Sequence, residues 1–439
     1  MEQGWICVPE TKFPRIVVVG GGFAGLNFIK KLKNKSFQVV LIDKNNFHQF
    51  MPLLYQVASS GLEPDNIVFP YRKLFWNYQN VVFRMAEAVR VDAGNSLLHT
   101  TIGTIYYDYL VIASGSETNY FGNKYFERYG LGLKTVTDAL DIRSRLLQNL
   151  EKASITCVQS EKQKLSTVVI VGGGASGVEV AGALAEFKKY VLPKDYPELK
   201  NAEMKIILVE AGNRLLPALS DKLSSKTLDY LEGMNVMILL DTMVNSYDGS
   251  VVGFDKSAKI ETKNFIWTAG IKGNSLQGLP NESRNSQNRL LVDKFNRIKP
   301  LDNIFAIGDN AMMITNDNPN GHPLVAQPAI QQGKLLAKNL LRMVSGRPMK
   351  PFQYNNKGAM ATIGRKKAVA EIGNYSFGGI VAWLIWSFVH LASLIGFRNK
   401  ILVAINWAWR YFTYDNGDRV IIRRFEDVQH EFRLIKDEN

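Results

Sequence analysis

Cysteine is scarce in this chain: Cys7 and Cys157 are the two in 439 residues, and no CxxC or CxxxxC pair occurs. That argues against a disulfide scaffold and against a redox dithiol built from neighbouring cysteines. Histidine is sparse too, and His48, His99, His322, His390 and His430 show no metal-ligand spacing, so no metal site is expected. The opening MEQGWICVPETKFPR has neither an apolar signal core nor an Arg-rich amphipathic pattern, and the chain reads as unexported. Acid is outnumbered, with 40 Asp and Glu against 53 Lys and Arg, which leaves a formal charge of +13. Such an excess suits an anionic partner: a nucleotide, a membrane surface or a nucleic acid. No nucleic-acid-binding signature accompanies it, so no nucleic acid partner is expected. With 46% hydrophobic and 21% charged residues, the chain can build a sizeable core across two or three domains.

What is present is one unit written twice. Residues 17–27 read VVVGGGFAGLN and residues 169–179 read VIVGGGASGVE, each with G-x-G-x-x-G: Gly20, Gly22, Gly25 and Gly172, Gly174, Gly177. Each follows an apolar β-branched run, a buried-strand signal, and opens a helical stretch. Each is followed by a second apolar strand ending in an acid, FQVVLID to Asp43 and KIILVE to Glu210. The glycines allow a tight turn and close approach to a pyrophosphate, the helix N-terminus offers N–H groups and partial positive charge, and the acid can bond ribose hydroxyls. A single copy is a weak signal; two copies in the same strand–helix–acid context are a strong one. The acid lies 18 residues after Gly25 but 33 after Gly177, and the extra EFKKYVLPKDYPELKNAEM reads as a longer helix plus loop. The repeat continues in YDYLVIASGS, reaching Gly115, and KNFIWTAGI, both apolar strands ending in small residues and glycine.

Two dinucleotide sites in one chain suggest one retained flavin and one exchanging nicotinamide. NIFAIGDNA (303–311) resembles the late motif of two-dinucleotide flavoproteins, which places Gly308 and Asp309 at the ribityl chain of FAD. Glu210 is compatible with the free 2′-hydroxyl of NADH; a 2′-phosphate would be repelled, with Arg214 a partial offset. AQPAIQQG (326–333) then resembles the AQxAxQ motif of type II NADH:quinone oxidoreductases. The likeness runs through HQFMPLLYQVASSG, GGGASGVEVAGALAE, ATIGRKKAVAEIG and the tryptophan-rich C-terminal region. It implies electron transfer from NADH through non-covalent FAD to a membrane quinone, without ion pumping. It also implies catalytic roles for Glu179, Gln327 and Gln331.

The residues make physical sense of this. Pro328 suits a first helical turn, and Gln327 and Gln331, four apart, share a face that could bond a quinone oxygen. Read without the family, the same helix is equally a water-facing one. Glu179 complements a helix dipole on the bland reading; the family places it near the nicotinamide or the proton route. His48 reads as a packed loop histidine and is given no chemistry.

The run from Gly378 to Phe397 has no Asp, Glu, Lys or Arg and is long enough for roughly 30 Å of bilayer. The polar stripe of Ser387, His390 and Ser393 argues against a span, as do Trp383, Trp386, Trp407 and Trp409. Two helices lying in the interface are expected instead, with Ile401, Ile405, Ala408 and Phe412 on one face and Arg398, Lys400 and Arg410 at anionic headgroups. The terminal DRVIIRRFEDVQHEF reads as solvated or packed.

The expected fold is thus α/β: two Rossmann-like dinucleotide-binding domains, as in two-dinucleotide flavoproteins, plus a C-terminal membrane-associated helical segment. The expected boundaries are 1–119 and 290–350 for the two parts of the FAD domain, 120–289 for the NADH domain and 351–439 for the membrane-anchoring region. The location expected is peripheral, on the cytoplasmic side of the inner membrane, against anionic lipid, with a homodimer left open. The competing readings are a soluble NADH-dependent reductase of a small electron-carrier protein and a membrane-bound nucleotide sensor.

Overall fold

Runs such as Arg15–Val19 and Val168–Val171 are β-branched on both faces, which suits a parallel strand covered by helices on either side. In the computed structural model both are central strands of parallel five-stranded sheets, and Ile16, Val17, Val18, Val168, Val169 and Ile170 are fully buried. The structure describes residues 4–199, 204–255, 258–316, 318–413 and 417–421. They fall into two compact units, 1–49 with 68–119 and 271–357, and 50–67 with 120–270 and 358–439.

In the first unit the strand order is Ile304–Ala306, Tyr109–Ile112, Arg15–Val19, Gln38–Asp43, Val81–Met85. The Phe23–Lys31 helix follows the central strand and packs on the Ala326–Val344 helix. Their backbones approach closely at Gly333, where a Cβ would overlap the Ala24 carbonyl oxygen. Residues 271–289, expected with the second cradle, cluster here, because Ile271–Gly273 pairs antiparallel with Ser116–Thr118.

The second unit repeats the pattern: Leu131–Gly132, Asn264–Trp267, Val168–Val171, Ile206–Val209, Met237–Leu239. The helix after its glycine-rich turn, Ala175–Tyr190, is indeed longer than its counterpart, followed by the short Leu192–Asp195 helix; residues 200–203 lie outside the described part. This helix carries the rest of the unit. The Leu54–Ala58 helix packs on it and on Val136–Ile155, and the Ala359–Gly364 strand lies against it so tightly that a Cβ at Gly182 would overlap the Ile363 carbonyl. That strand belongs to a three-stranded antiparallel sheet with Lys367–Ile372 and Tyr375–Gly378.

The long apolar run is therefore split. Its first residue, Gly378, ends the last strand of the small sheet, and Gly379 (φ 71°) turns the chain into the Ile380–Ser393 helix. At 14 residues this helix is about 21 Å long, short of a bilayer core. Among the described residues no helix is long and apolar enough to cross a membrane. The following helix is Phe397–Thr413. Residues 422–432 of the terminal segment lie outside the described part.

Candidate functional site

The two glycine-rich turns are built alike, bond for bond. Gly20 and Gly172 have φ of 96° and 111°, a region that glycine occupies without strain. Their N–H groups donate to Ile42 O and Val209 O, both at 2.8 Å. At Gly25 and Gly177 a Cβ would collide with the carbonyl oxygens of Gly20 and Gly172. The acids are matched as well. Asp43 accepts from Gly21 N–H (2.7 Å) and Asn45 N–H (2.8 Å); Glu210 accepts from Gly173 N–H (2.5 Å) and Gly212 N–H (2.7 Å). Both carboxylates are thus fixed at the ends of their strands by backbone donors.

The first turn suits FAD. Space is open around Gly22 and Gly115, and the helix starting after Gly22 has no side-chain cap, leaving N–H groups for a pyrophosphate. Gly308 donates its N–H to Gln332 Oε1 at 2.7 Å, and Asp309 accepts from Ser116 Oγ at 2.6 Å. Beside them the buried Asn310 Oδ1 has no partner, an acceptor left over for a bound group. Burial pushes the Asp43 carboxyl up, opposed by Gly21 and Asn45 N–H, the Tyr71 hydroxyl and Lys44. The second turn is equally open at Gly174, and the following helix is equally uncapped. Arg214, weighed as an offset to a 2′-phosphate, is ion-paired with Asp221 and donates to Pro217 O at 2.8 Å.

His48 is packed, as expected: its Nδ1 lies 2.9 Å from Gly21 O, its ring meets Phe23 edge-on, and burial lowers its pKa to about 4. The two glutamines of the AQxAxQ-like stretch bond to backbone further along the chain. Gln327 Oε1 accepts from Lys357 N–H at 3.1 Å, and Gln331 exchanges two bonds with the Asn355 backbone, at 2.8 and 3.0 Å. Residues 351–358 form no strand, so side-chain amides satisfy backbone groups there. Sequence reasoning missed Gln332, the neighbour that meets the Gly308 loop.

Glu179 sits in the second turn of Ala175–Tyr190, past the reach of a dipole contact, and lines a cavity of about 90 Å³. Burial pushes its carboxyl up to about 8, with only Thr362 N–H and Trp386 pulling back. Thr362 N–H lies 3.5 Å from Glu179 Oε1. Glu186 faces the same cavity two turns on; burial raises it as well, against Arg365 N–H, then Arg410, Arg365 and Lys367. An acid seven residues beyond Glu179 in the otherwise apolar VEVAGALAEF was the available signal.

The opposite walls come from the C-terminal helices and from Tyr55 and Gln56. Trp407 Nε1 donates to Gln56 Oε1 at 2.8 Å, and Gln56 Nε2 donates to the Tyr55 hydroxyl at 2.6 Å. Trp386 is 2% exposed, stacks on His390 (4.2 Å) and lies tilted against Trp407 (5.3 Å), and its Nε1, beside the Glu179 carboxyl, completes no hydrogen bond. These tryptophans, expected at a lipid interface, wall a cavity instead because the small sheet and Tyr55 pack against them. Arg410, expected at headgroups, points inward and donates to Gly61 O at 3.2 Å. The Ser387 and Ser393 hydroxyls bond the helix's own carbonyls. The outer faces stay apolar: Leu384, Phe388 (74% exposed), Ile401, Ile405, Trp409 and Phe412 (78%).

A paired nucleotide cradle of this kind defines a class, and the sequence pattern of the pyridine nucleotide-disulphide oxidoreductase family matches residues 14–333, so the chain belongs to that family. The NDH2 C-terminal domain pattern matches residues 356–413, the small sheet and the two helices. The chain is 34% identical to the type II NADH:quinone oxidoreductase Ndh of Mycobacterium tuberculosis, over 93% of this chain and 90% of that one. To the type II NADH:quinone oxidoreductase of Haemophilus influenzae it is 29% identical, over 82% and 87%. Within its class, then, it is a member of the type II NADH:quinone oxidoreductases. NDH2 from Plasmodium falciparum, solved in complex with NADH, shares the fold at a TM-score of 0.86 and 22% identity, covering 94% of this chain and 100% of that one.

Proposed function

We propose that the aromatic-lined cavity of the second unit receives the quinone headgroup, and that Glu179 gives it a proton. The chain oxidises NADH and reduces quinone to quinol without pumping protons, as its family does. FAD, when bound, accepts hydride from NADH and passes two electrons onward. The first turn would hold it through Gly20, Gly22, Gly25, Asp43, Gly115, Gly308 and Asp309. The second would receive NADH through Gly172, Gly174, Gly177 and Glu210, the acid bonding the ribose hydroxyls. Gln327 and Gln331 act by holding residues 355–357 in place.

The observation that carries the quinone reading is Trp386: a buried indole N–H that completes no hydrogen bond, beside a carboxyl that keeps its proton near neutral pH, in a cavity where Tyr55, Trp383, Trp407 and Tyr411 supply further rings. Flat aromatic surfaces with a few placed polar groups, here an indole N–H and a protonated carboxyl, suit a quinone ring. Detergent-purified protein should oxidise NADH rapidly with a short-chain quinone and at least about tenfold more slowly with a small electron-carrier protein. The reverse preference would favour the carrier-reductase reading, and no turnover with either would favour a sensor.

The protein is of a membrane-associated family. We infer further that it lies peripherally on the cytoplasmic face of the inner membrane, where NADH is made, with Phe388 and Phe412 among the residues in lipid and Arg398 toward anionic headgroups. Each phenylalanine withdrawn from water contributes about 1.5 kcal/mol or more. Phe388→Glu with Phe412→Glu should lower binding to anionic vesicles by about a hundredfold in a sedimentation assay. Turnover with a water-soluble quinone should persist, and undiminished sedimentation would remove this face from the assignment.

A further inference from the structure

We propose that Glu186 is the relay through which a proton from the medium reloads Glu179 in each turnover. This rests on the reading that quinone is reduced in the Glu179 cavity.

The chemistry requires a donor that can be refilled. NADH supplies two electrons and one proton, as hydride; forming the two O–H bonds of quinol takes two electrons and two protons. Each turnover therefore draws one net proton from the medium. Glu179 can hold one but, set among Thr362, Trp386 and Tyr55, it has no cation acting on its carboxyl.

Glu186 lies seven residues on, on the same face of Ala175–Tyr190, and both carboxyls line one cavity. Both keep some accessible surface because they form its wall, while the surrounding protein desolvates them. Seven residues of helix span about 10 Å, too far for direct transfer. The cavity bridges that gap. Its volume is about 90 Å³, and one water occupies roughly 10–15 Å³ on that measure, so several waters fit. Polar groups line the way: the Trp386 Nε1 without a partner, and Tyr55, whose hydroxyl accepts from Gln56 and so keeps its own hydrogen to donate. The charges of both glutamates act on Tyr55, which lines the same cavity.

The two acids are set differently. Glu186 accepts from Arg365 N–H at 2.5 Å and feels the charges of Arg410, Arg365 and Lys367. Cations favour its ionised form, so it can take a proton arriving from outside and release it inward. Glu179 lacks such cations and stays loaded. The sequence is then balanced: Glu179 gives its proton to a quinone oxygen and becomes a carboxylate, Glu186 passes its proton along the waters to it, and Glu186 is reprotonated by water at the Arg365–Arg410 end.

The test is Glu186→Gln in the flavin-loaded enzyme. A relay predicts quinone KM within about twofold of wild type, kcat lowered about tenfold or more, a loss that deepens as pH rises, and recovery with millimolar azide or formate as a diffusible acid. Bleaching of the flavin by NADH alone should be unchanged. Wild-type kcat and pH profile, or a loss that no weak acid restores, would overturn the proposal. Glu186→Asp guards against a folding defect: a relay gives an intermediate rate with a displaced pH profile, whereas a structural role alters flavin content and leaves the profile in place. Failure of the quinone reading would look different, because Trp386→Leu would then leave quinone KM unchanged.

Discussion

Replacing Glu179 with glutamine is expected to lower quinone turnover about a hundredfold and, at the same time, to raise the melting temperature at alkaline pH. Both follow from one desolvated carboxyl. In the unfolded chain it ionises near 4.5; in the folded protein burial holds the proton until about 8, against weak opposition from Thr362 N–H and Trp386. Between those values the folded state binds a proton that the unfolded state does not, so stability falls as pH rises. The neutral carboxyl's full contribution is present below 4.5 and is gone once pH passes about 8. At about 1.4 kcal/mol for each tenfold change in proton affinity, the ionised form is disfavoured by an amount on the order of 5 kcal/mol. Glutamine cannot ionise. The variant should therefore match wild type in acid and melt higher at about pH 9. Wild-type kcat should decline as pH rises through about 8, where the donor empties, and the variant should show a low, flat profile over that range. Melting curves and kcat against pH check both halves. Parallel melting slopes for the two proteins would remove Glu179 as a buried acid.

The cradles were legible because their physics is local. Strand, turn and helix fall within a dozen residues; the first glycine of each motif is forced by a positive φ and the third by a backbone oxygen at its Cβ position. The acids could be read too, since each closes the strand beside its own turn. The cavity was not legible. Its walls come from residues 55–56, 179–190, 362–365 and 383–411, brought together by packing that no spacing announces. Tryptophan shows the limit of a residue preference: Trp386 and Trp409 share the same C-terminal stretch, yet one is 2% and the other 61% exposed, and neighbours decide which. The Gln327–Gln331 pair was found as a motif, but its hydrogen-bond partners lie 24 to 30 residues further along, in a segment without periodicity. The apolar run is longer than its helix because Gly378 closes the small sheet and Gly379 turns the chain before the helix begins.

Twin substitutions should separate the two nucleotide turns. Gly25→Val and Gly177→Val place the same side chain at equivalent positions, each against a backbone carbonyl, Gly20 or Gly172, rather than a movable side chain. Overpacking of this kind costs about 1–3 kcal/mol even where neighbours can shift, and more where the obstacle is backbone. Relief would come from moving the helix away from the turn, which withdraws the uncapped N–H groups following Gly22 or Gly174 from a pyrophosphate. The turns lie in different compact units, so each lesion should stay in its own. Gly25→Val protein is expected to be colourless on purification, several degrees less stable, and inactive with every acceptor. Gly177→Val should stay yellow, with its flavin still bleached by dithionite, while NADH bleaches it at least about a hundredfold more slowly. The checks are the visible spectrum and the rate of its loss under each reductant. A yellow Gly25→Val paired with a colourless Gly177→Val would reverse the assignment of the two turns.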